Sequence, residues 1–457
     1  TEIYTLSLHD ALPIFADDLE DKDHRYELPS GSTVQPGEYF VVKQEKDDEA
    51  GFSFGLKCTE DTVYLLNGDM NVVAQEAIGD APTGSTWGRL PDTTGDFQET
   101  SPTQGSANQE PASTSSALFD PLTVNAVDIT LSSDAITSLT SDPYTYVEGQ
   151  VQVATSAGAS DTLTVGVRLK SGESFQPITG KSAFKIKLNE YDSTTRLYGL
   201  KSFNLNNMVN DASMMHETIA YALVRGAGVP AVRTGYAWVT VNGEDRGLYV
   251  IVENYDDVFA DMNFDSTDHV YEGMSDLELT ELDQIEVDEG DSTDRQDLID
   301  LINAINDTGD DAWLATVGAL LDLEQFAKFW AAENYIGHSD GYALAANNYF
   351  LHSDDDGFFT MMPWGADSCF VNAPAFPSGA SVLCTRCLAI TACAAAYDTA
   401  LSELKTQVAS LALDSFIDDI DGEIASYVQD DPLMPFTVAE YEQAVDDLLT
   451  YLENRAK

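Results

Sequence analysis

An α+β chain in two lobes, preceded by a smaller all-β segment, is what this sequence predicts, and three observations carry that reading. With 457 residues of which 43% are apolar, the chain can bury more than one core, and length alone allows two or three domains. Short apolar runs alternating with turn residues fill Phe15 to about Asn108 and resume after Asn125, as half-buried strands do. The later half changes to helical spacing, interrupted by the strand pair NNYFLHSDDDGFFTMMPW.

In chain order, YFVVKQ and TVYLLNGDMNVVAQEAI read as strands, with NGDM at 67–70 placing Asn and Gly where a hairpin turn needs positive φ. NQEPASTSSALF is rich in Ser, Pro and Ala, so 109–117 reads as a linker between domains 15–108 and 118–457. Strands NAVDITLS, YTYVEGQVQVA, DTLTVGVRLKSG and KSAFKIKLNEY follow. A helix over 211–225 has Asp211 or Ser213 as its cap and Gly226 and Gly228 at its end. AWVTVNGEDRGLYVIVENY is a second strand pair with an NG turn. Helices are then expected over 296–306, 323–337, 396–428 and 437–455, while the acidic stretch 273–298 reads as a solvated loop without the spacing of an EF-hand.

Thr1 to Ile14, written as codons, match a common short-read sequencing adapter without a mismatch. They are therefore set aside from fold reasoning, and the true N-terminus, with any signal peptide, is expected to be lost.

The charge balance narrows the function classes. Against 22 Lys and Arg stand 78 Asp and Glu, a net charge of −56, so nucleic acid and anionic membrane surfaces are repelled as partners. Such acidity suits solubility in salt, where self-repulsion is screened. No run of 18 or more apolar residues is present to span a bilayer. Cys369, Cys384, Cys387 and Cys393 cluster and include the C-x-x-C of CTRC, which reads as local disulfides or as a zinc half-site; Cys58 has no obvious partner. Disulfides would place the protein in an oxidising compartment, extracellular or at the cell surface.

Five of the 22 basic residues fall between positions 168 and 187. Arg168 and Lys170 share one face of a strand, and Lys181, Lys185 and Lys187 one face of the next, because side chains alternate. In so acidic a chain this is a place for an anion, although a plain amphipathic hairpin alternates in the same way. Glu217 lies in the first turns of the following helix, where it favours the helix dipole or holds one of those lysines. Asp340 stands in a turn-like SDG, Asn348 eight residues later, and Asp367 just past a strand. A carboxylate to take a hydroxyl proton, with an Asn and an Asp to hold a hard cation, is what phosphoryl transfer requires. His216, His338 and His352 lack a second His or Cys at metal spacing and read as structural.

LPSGSTVQPGEYFVV and GRLPDTTGDFQETSPTQGSAN resemble the lamin-tail domain, an immunoglobulin-like sandwich, of which the first strands are missing from this chain. FNLNNM, AGVPAVRT and VNGEDRGLYVIVE, within KSAFKIKL to ENYDD, resemble the core of the CotH kinase family, atypical kinases first known from spore coats. That likeness covers about residues 118–457. It implies a reduced protein-kinase-like fold, ATP with Mg2+ or Mn2+, and transfer of the γ-phosphate to Ser or Thr of a protein substrate. By position it implies Lys181 as the phosphate-contacting lysine, with Lys185 as substitute and Arg168 and Glu253 as further nucleotide contacts. Glu217 then matches the helix glutamate, Asp340 the catalytic aspartate, and Asn348 the metal-binding asparagine. The family usually reads P-W-D-x-D where this chain has Pro363, Trp364, Gly365, Ala366 and Asp367. With Asp367 as the metal ligand the enzyme works; were the ligand the residue replaced by Gly365, the chain would be a nucleotide-binding pseudokinase that acts as a scaffold.

Overall fold

The computed structural model describes residues 115–457 except 157 and 173, and, ahead of them, 2–3, 14–19, 21–29, 32, 40–44, 51–56, 62–78, 86–90, 95–100 and 108. It divides into two units, Thr1–Thr114 and Ser115–Lys457.

In the first unit β1 (Glu2–Ile3) pairs with β4 (Phe40–Val41). A four-stranded sheet takes the order β3 (Arg25–Glu27), β2 (Ile14–Ala16), β5 (Thr62–Leu66), β6 (Val72–Ala77). β7 (Thr86–Leu90) and β8 (Asp96–Thr100) form a hairpin. The expected turn does join β5 to β6, but Met70 takes the left-handed conformation (φ 65°), while Asn67 Oδ1 accepts hydrogen bonds from the Asp69 and Asn71 amides at 3.1 and 2.9 Å. Cys58 lies outside the described residues.

The second unit begins with a closed barrel. Its strands are β9 (Val124–Leu131), β10 (Val147–Thr155), β11 (Gly158–Ala159), β12 (Leu163–Leu169), β13 (Phe184–Lys187), β14 (Ser202–Asn206), β15 (Thr234–Val241) and β16 (Glu244–Val252). The order is β11-β10-β12-β13-β14-β16-β15-β9, and β9 pairs back onto β10, which closes the sheet. Residues at period two, Val127, Ile129, Val151, Val153, Val165, Val167 and Ile186, fill the interior. Two helices accompany the strands, α1 (Ser133–Ser141) and α2 (His216–Gly226). α2 starts at His216, five residues after the expected start at 211, and neither Asp211 nor Ser213 is its cap residue, which is Met215. Asp211 nonetheless reaches its first turn, because Asp211 Oδ2 accepts from the His216 amide at 2.7 Å.

The second lobe holds α3 (Asp257–Asn263), β17 (His269–Gly273), β18 (Ile285–Glu289), α4 (Gln296–Asp307), α5 (Asp310–Val317), α6 (Leu323–Ile336) and α7 (Tyr342–Ala345). It continues with β19 (Tyr349–Ser353), β20 (Phe359–Pro363), α8 (Val382–Ala389), α9 (Thr391–Ser410), α10 (Leu413–Asp430) and α11 (Val438–Ala456). Its antiparallel sheet runs β18-β17-β19-β20. The central helix is α6, with Phe326, Phe329, Trp330 and Tyr335 buried. Asp322 caps its start, accepting from the Glu324 and Gln325 amides, and Gly337 ends it at φ 67°. A side chain at 337 would meet the Asn372 carbonyl oxygen at 2.0 Å, so glycine is required there.

Two expectations are corrected. The helix expected over 396–428 is two helices, broken at Ala412 (φ 48°) with no Gly or Pro to announce it; Leu411 beside the break occupies the space a side chain at Gly226 would take. The acidic stretch 273–298 is not only loop. It contains β18, in which Ile285 is buried while Glu286 and Asp288 point out. Among the cysteines, Cys387 and Cys393 form a disulfide joining α8 to α9, whereas Cys369 and Cys384 are buried free thiols; that pairing takes Cys387 out of the expected zinc half-site.

Candidate active site

Lys170 follows directly on β12, and its amide donates to the Ala183 carbonyl at 2.9 Å, so the strand pair sets its position. Its Nζ donates to Asn206 Oδ1 at 2.5 Å, at the end of β14. The Asn206 amide nitrogen in turn lies 2.8 Å from each carboxylate oxygen of Glu217, in the first turn of α2. A lysine is thus held to a helix glutamate through an asparagine. The loop between Lys170 and Lys181 is tied down by Asn207 Nδ2, which donates to the carbonyls of Ser174 and Lys181 at 2.9 and 2.7 Å.

Opposite these groups, Asp367 sits in a 3-10 turn (Ala366–Ser368) after β20. His216 Nδ1 donates to its carbonyl at 2.9 Å, which fastens the turn to the start of α2. Burial pushes the Glu217 carboxyl up to about 7, the neighbouring Asp367 charge adds to that rise, and Lys170 opposes it. Burial likewise raises Asp367, against the pull of Lys170. Lys170 is held below its ordinary value by burial, with Glu217 and Asp367 favouring its charged form. Buried Glu217 and half-buried Asp367 share one ammonium, and the two acidic groups beside a single lysine suit a cation.

Asp340 and Asn348 come together on the loop between α6 and β19. Asn348 Nδ2 donates to Asp340 Oδ2 at 2.6 Å and to its carbonyl at 3.1 Å. The loop is shaped from beneath by Glu333, whose carboxylate accepts from the Tyr342 and Ala343 amides at 3.0 and 2.8 Å. Buried His338 contacts Glu333 at 3.3 Å and donates from Nε2 to the Gly365 carbonyl at 3.2 Å. Burial pushes the His338 pKa down, yet Glu333 and the Gly365 carbonyl outweigh it and leave the pKa raised. Gly365 is left-handed (φ 59°), and a side chain there would meet Asn348 Cγ and Oδ1 at 2.8 Å. In this chain Gly365 therefore makes room for Asn348.

The structure separates some residues that the sequence grouped. Lys181 does not join Glu217: its Nζ is buried against Asp431 Oδ2 at 2.5 Å. Asp431 also accepts from the Leu248 amide at 3.0 Å, and the pair closes the end of α10 onto the barrel. The physical reason is burial: an ammonium so enclosed needs a carboxylate, and Asp431 supplies it. Glu253 is committed to Arg233, whose Nε lies 3.1 Å from both of its oxygens. Arg168 stands over the Tyr146 ring at 5.3 Å, opposite Lys185 in the β12–β13 register. Lys185 is close enough to Lys170 to lower its pKa. Lys187 pairs with Glu190 at 3.0 Å. His352 stacks on Phe264 with ring centroids 3.6 Å apart and contacts the Ser266 carbonyl. Sequence reasoning placed Lys170 on the basic strand but passed over Asn206, although FNLNN offers an amide at a strand end.

A lysine secured to a helix glutamate at the barrel, with an aspartate, an asparagine and a further aspartate on the helical lobe, is the arrangement of a kinase-like phosphotransferase. The chain belongs to the CotH kinase family, whose model, CotH kinase protein, matches residues 171–457. The inner spore coat protein H-like protein of Bacillus subtilis (strain 168) is 28% identical over 88 residues, 17% of this chain and 29% of that protein, so the match spans under a third of its length. A crystal structure of the Helicobacter pylori proinflammatory kinase CtkA aligns over 60% of this chain and 89% of its own at 12% identity, with a TM-score of 0.26. Among the described residues no helix is long and apolar enough to cross a membrane.

The family implies ATP and a divalent cation, and the donor set fits the latter. Asn348 and Asp367 offer oxygen ligands of the kind Mg2+ and Mn2+ take, and a bound cation would favour the charged form of Glu217 that burial now opposes.

Proposed function

We propose that the protein transfers the γ-phosphoryl group of ATP to Ser or Thr hydroxyls of a protein substrate. The observation that carries this reading is the chain Lys170–Asn206–Glu217 facing Asp367, in one fold with the Asp340–Asn348 pair. Lys170, not Lys181, contacts the phosphates, and Lys185 adds positive charge beside it. Glu217 acts through Asn206 to hold Lys170 in place. Asp340 accepts the proton of the attacking hydroxyl, and its bond from Asn348 orients the carboxylate. Asn348 and Asp367 hold the metal, which when bound neutralises charge on the phosphoryl oxygens.

An extracellular or cell-surface setting is part of the proposal and is supported by the Cys387–Cys393 disulfide. In that setting the lamin-tail-like segment would act as an adhesive companion.

Gly365 favours one second reading, a pseudokinase that binds nucleotide without transferring phosphate. Incubation of the full chain with γ-labelled ATP and Mg2+ or Mn2+, beside Asp367→Asn, separates the two. Label on the chain or on an added protein, absent in the variant, is the expected result. Nucleotide binding without label in either protein would establish the scaffold instead.

A further inference from the structure

At the start of β17, at the end of the strand away from Gly273 and the Asn348 loop, three side chains converge. His269 is 3% exposed. Its Nε2 lies 3.2 Å from the Asp291 carbonyl, an oxygen that can only accept, so that nitrogen carries the proton. Among the described residues Nδ1 has no hydrogen-bond partner. It nevertheless lies 3.1 Å from Asp268 Oδ2 and 3.3 Å from Asp297 Oδ2. The ring is fixed there by Tyr271, stacked at 5.2 Å, and by Gly290, where a side chain would meet the ring at 2.4 Å.

A buried imidazole lone pair beside two carboxylates is an unfavourable arrangement unless something positive joins them. The three ligand atoms all lie within 4.8 Å of one another. An ion bonded to nitrogen and oxygen at about 2.0–2.2 Å keeps its ligand atoms roughly 3.0–3.6 Å apart, which the two imidazole distances match. Asp297 is also oriented as a ligand would be. Its Oδ1 accepts from the Tyr271 hydroxyl at 2.6 Å and the Leu298 amide at 2.7 Å, and its Oδ2 from the Ser353 hydroxyl at 2.7 Å.

We propose that Asp268, His269 and Asp297 form a second metal site, separate from Asn348 and Asp367, that takes a zinc-class divalent cation and pins the start of α4 to β17. One imidazole with two carboxylates suits zinc better than magnesium or calcium, which prefer oxygen throughout. The site neutralises two acidic side chains in a chain with great excess of them.

The test is equilibrium dialysis of the chelator-stripped full chain against ZnCl2, with excess Mg2+ present to fill the catalytic site, and metal counted per chain. One zinc per chain is expected, with affinity at least tenfold weaker in Asp268→Asn and no such site in His269→Gln. Zinc should raise the melting temperature of the native protein more than that of Asp268→Asn at the same concentration. Because Asp268 is exposed, its variant remains informative even where loss of His269 unfolds the lobe. Equal zinc affinity in Asp268→Asn, or no zinc bound by the native chain at micromolar concentration, would overturn the proposal and leave the three side chains as a structural cluster.

Discussion

Lys170 and Lys181 flank one loop of one barrel, and the two regions they define have opposite electrostatics. Around Lys181 the charges are matched: one ammonium, one carboxylate, 2.5 Å apart, with side chains 3% and 0% exposed. Gly247 completes the fit, since a side chain there would overlap Asp431 at 2.0–2.2 Å. Around Lys170 the charges are unmatched, with Glu217 and Asp367 both acting on one lysine. A balanced buried pair serves the fold, while a buried surplus is tolerated where a ligand completes it.

That contrast breaks down, or sharpens, under substitution. The largest effect is expected at the surplus site. Asp340→Asn should lower phosphoryl transfer by about 10²–10⁴-fold, the usual worth of a positioned base, with the urea midpoint unchanged because Asp340 is exposed. Undiminished labelling would remove Asp340 from the mechanism. Next, Lys181→Ala strands Asp431 in the interior and should cost about 3–5 kcal/mol in urea unfolding, with ATP affinity of the folded fraction retained. A variant of native stability that no longer bound ATP would exchange the roles of the two lysines. Lys170→Met should show the opposite pattern, a turnover loss of about 10²–10³-fold with a smaller stability change than at Lys181, read by kinetics and melting on one preparation.

Gly365→Asp restores the common family residue. It should cost about 1–2 kcal/mol for the left-handed backbone and displace Asn348, so activity falls. A rise in activity would instead make position 365 the metal ligand.

The smallest effect is on pH dependence in metal-free protein. Glu217 has a folded pKa of about 7 against an ordinary value of 4.5, so its neutral form is favoured by folding. The stability it contributes is complete below about 4.5 and is lost as pH rises through 7. The melting temperature should therefore decline from pH 5 to 8, and Glu217→Gln should flatten the decline. A decline of the same slope in the variant would assign it to other groups.

Much of this was legible from residues. Alternation in β9, β10 and β12 and the NG turn between β15 and β16 announced a strand-built lobe, and the spacing of Phe326, Phe329 and Trp330 suits α6. Asp340, Asn348 and Glu217 are each ordinary where they stand, and they stood out only as an ordered set with the strand lysines and Asp367. Closure of the barrel was not legible, since it rests on a β9–β10 pairing that no local pattern encodes. α1 was hidden by its Ser and Thr content, which lowers helix propensity. The choice between Lys170 and Lys181 depends on Asp431, far along the chain. Asp268, His269 and Asp297 escaped notice because their ligand spacing exists only after β17 and α4 pack together.

The Lys181–Asp431 pair also has a consequence in time. Its two partners are 250 residues apart. At a synthesis rate of about 5–20 residues per second, roughly 13–50 s pass between the appearance of the ammonium and that of its carboxylate. Throughout that interval the emerging barrel carries a cation that its interior cannot accept, so the nascent lobe must stay open at that corner. Translation through Asp431, the residue that follows α10, is then the event that lets that corner close against the barrel.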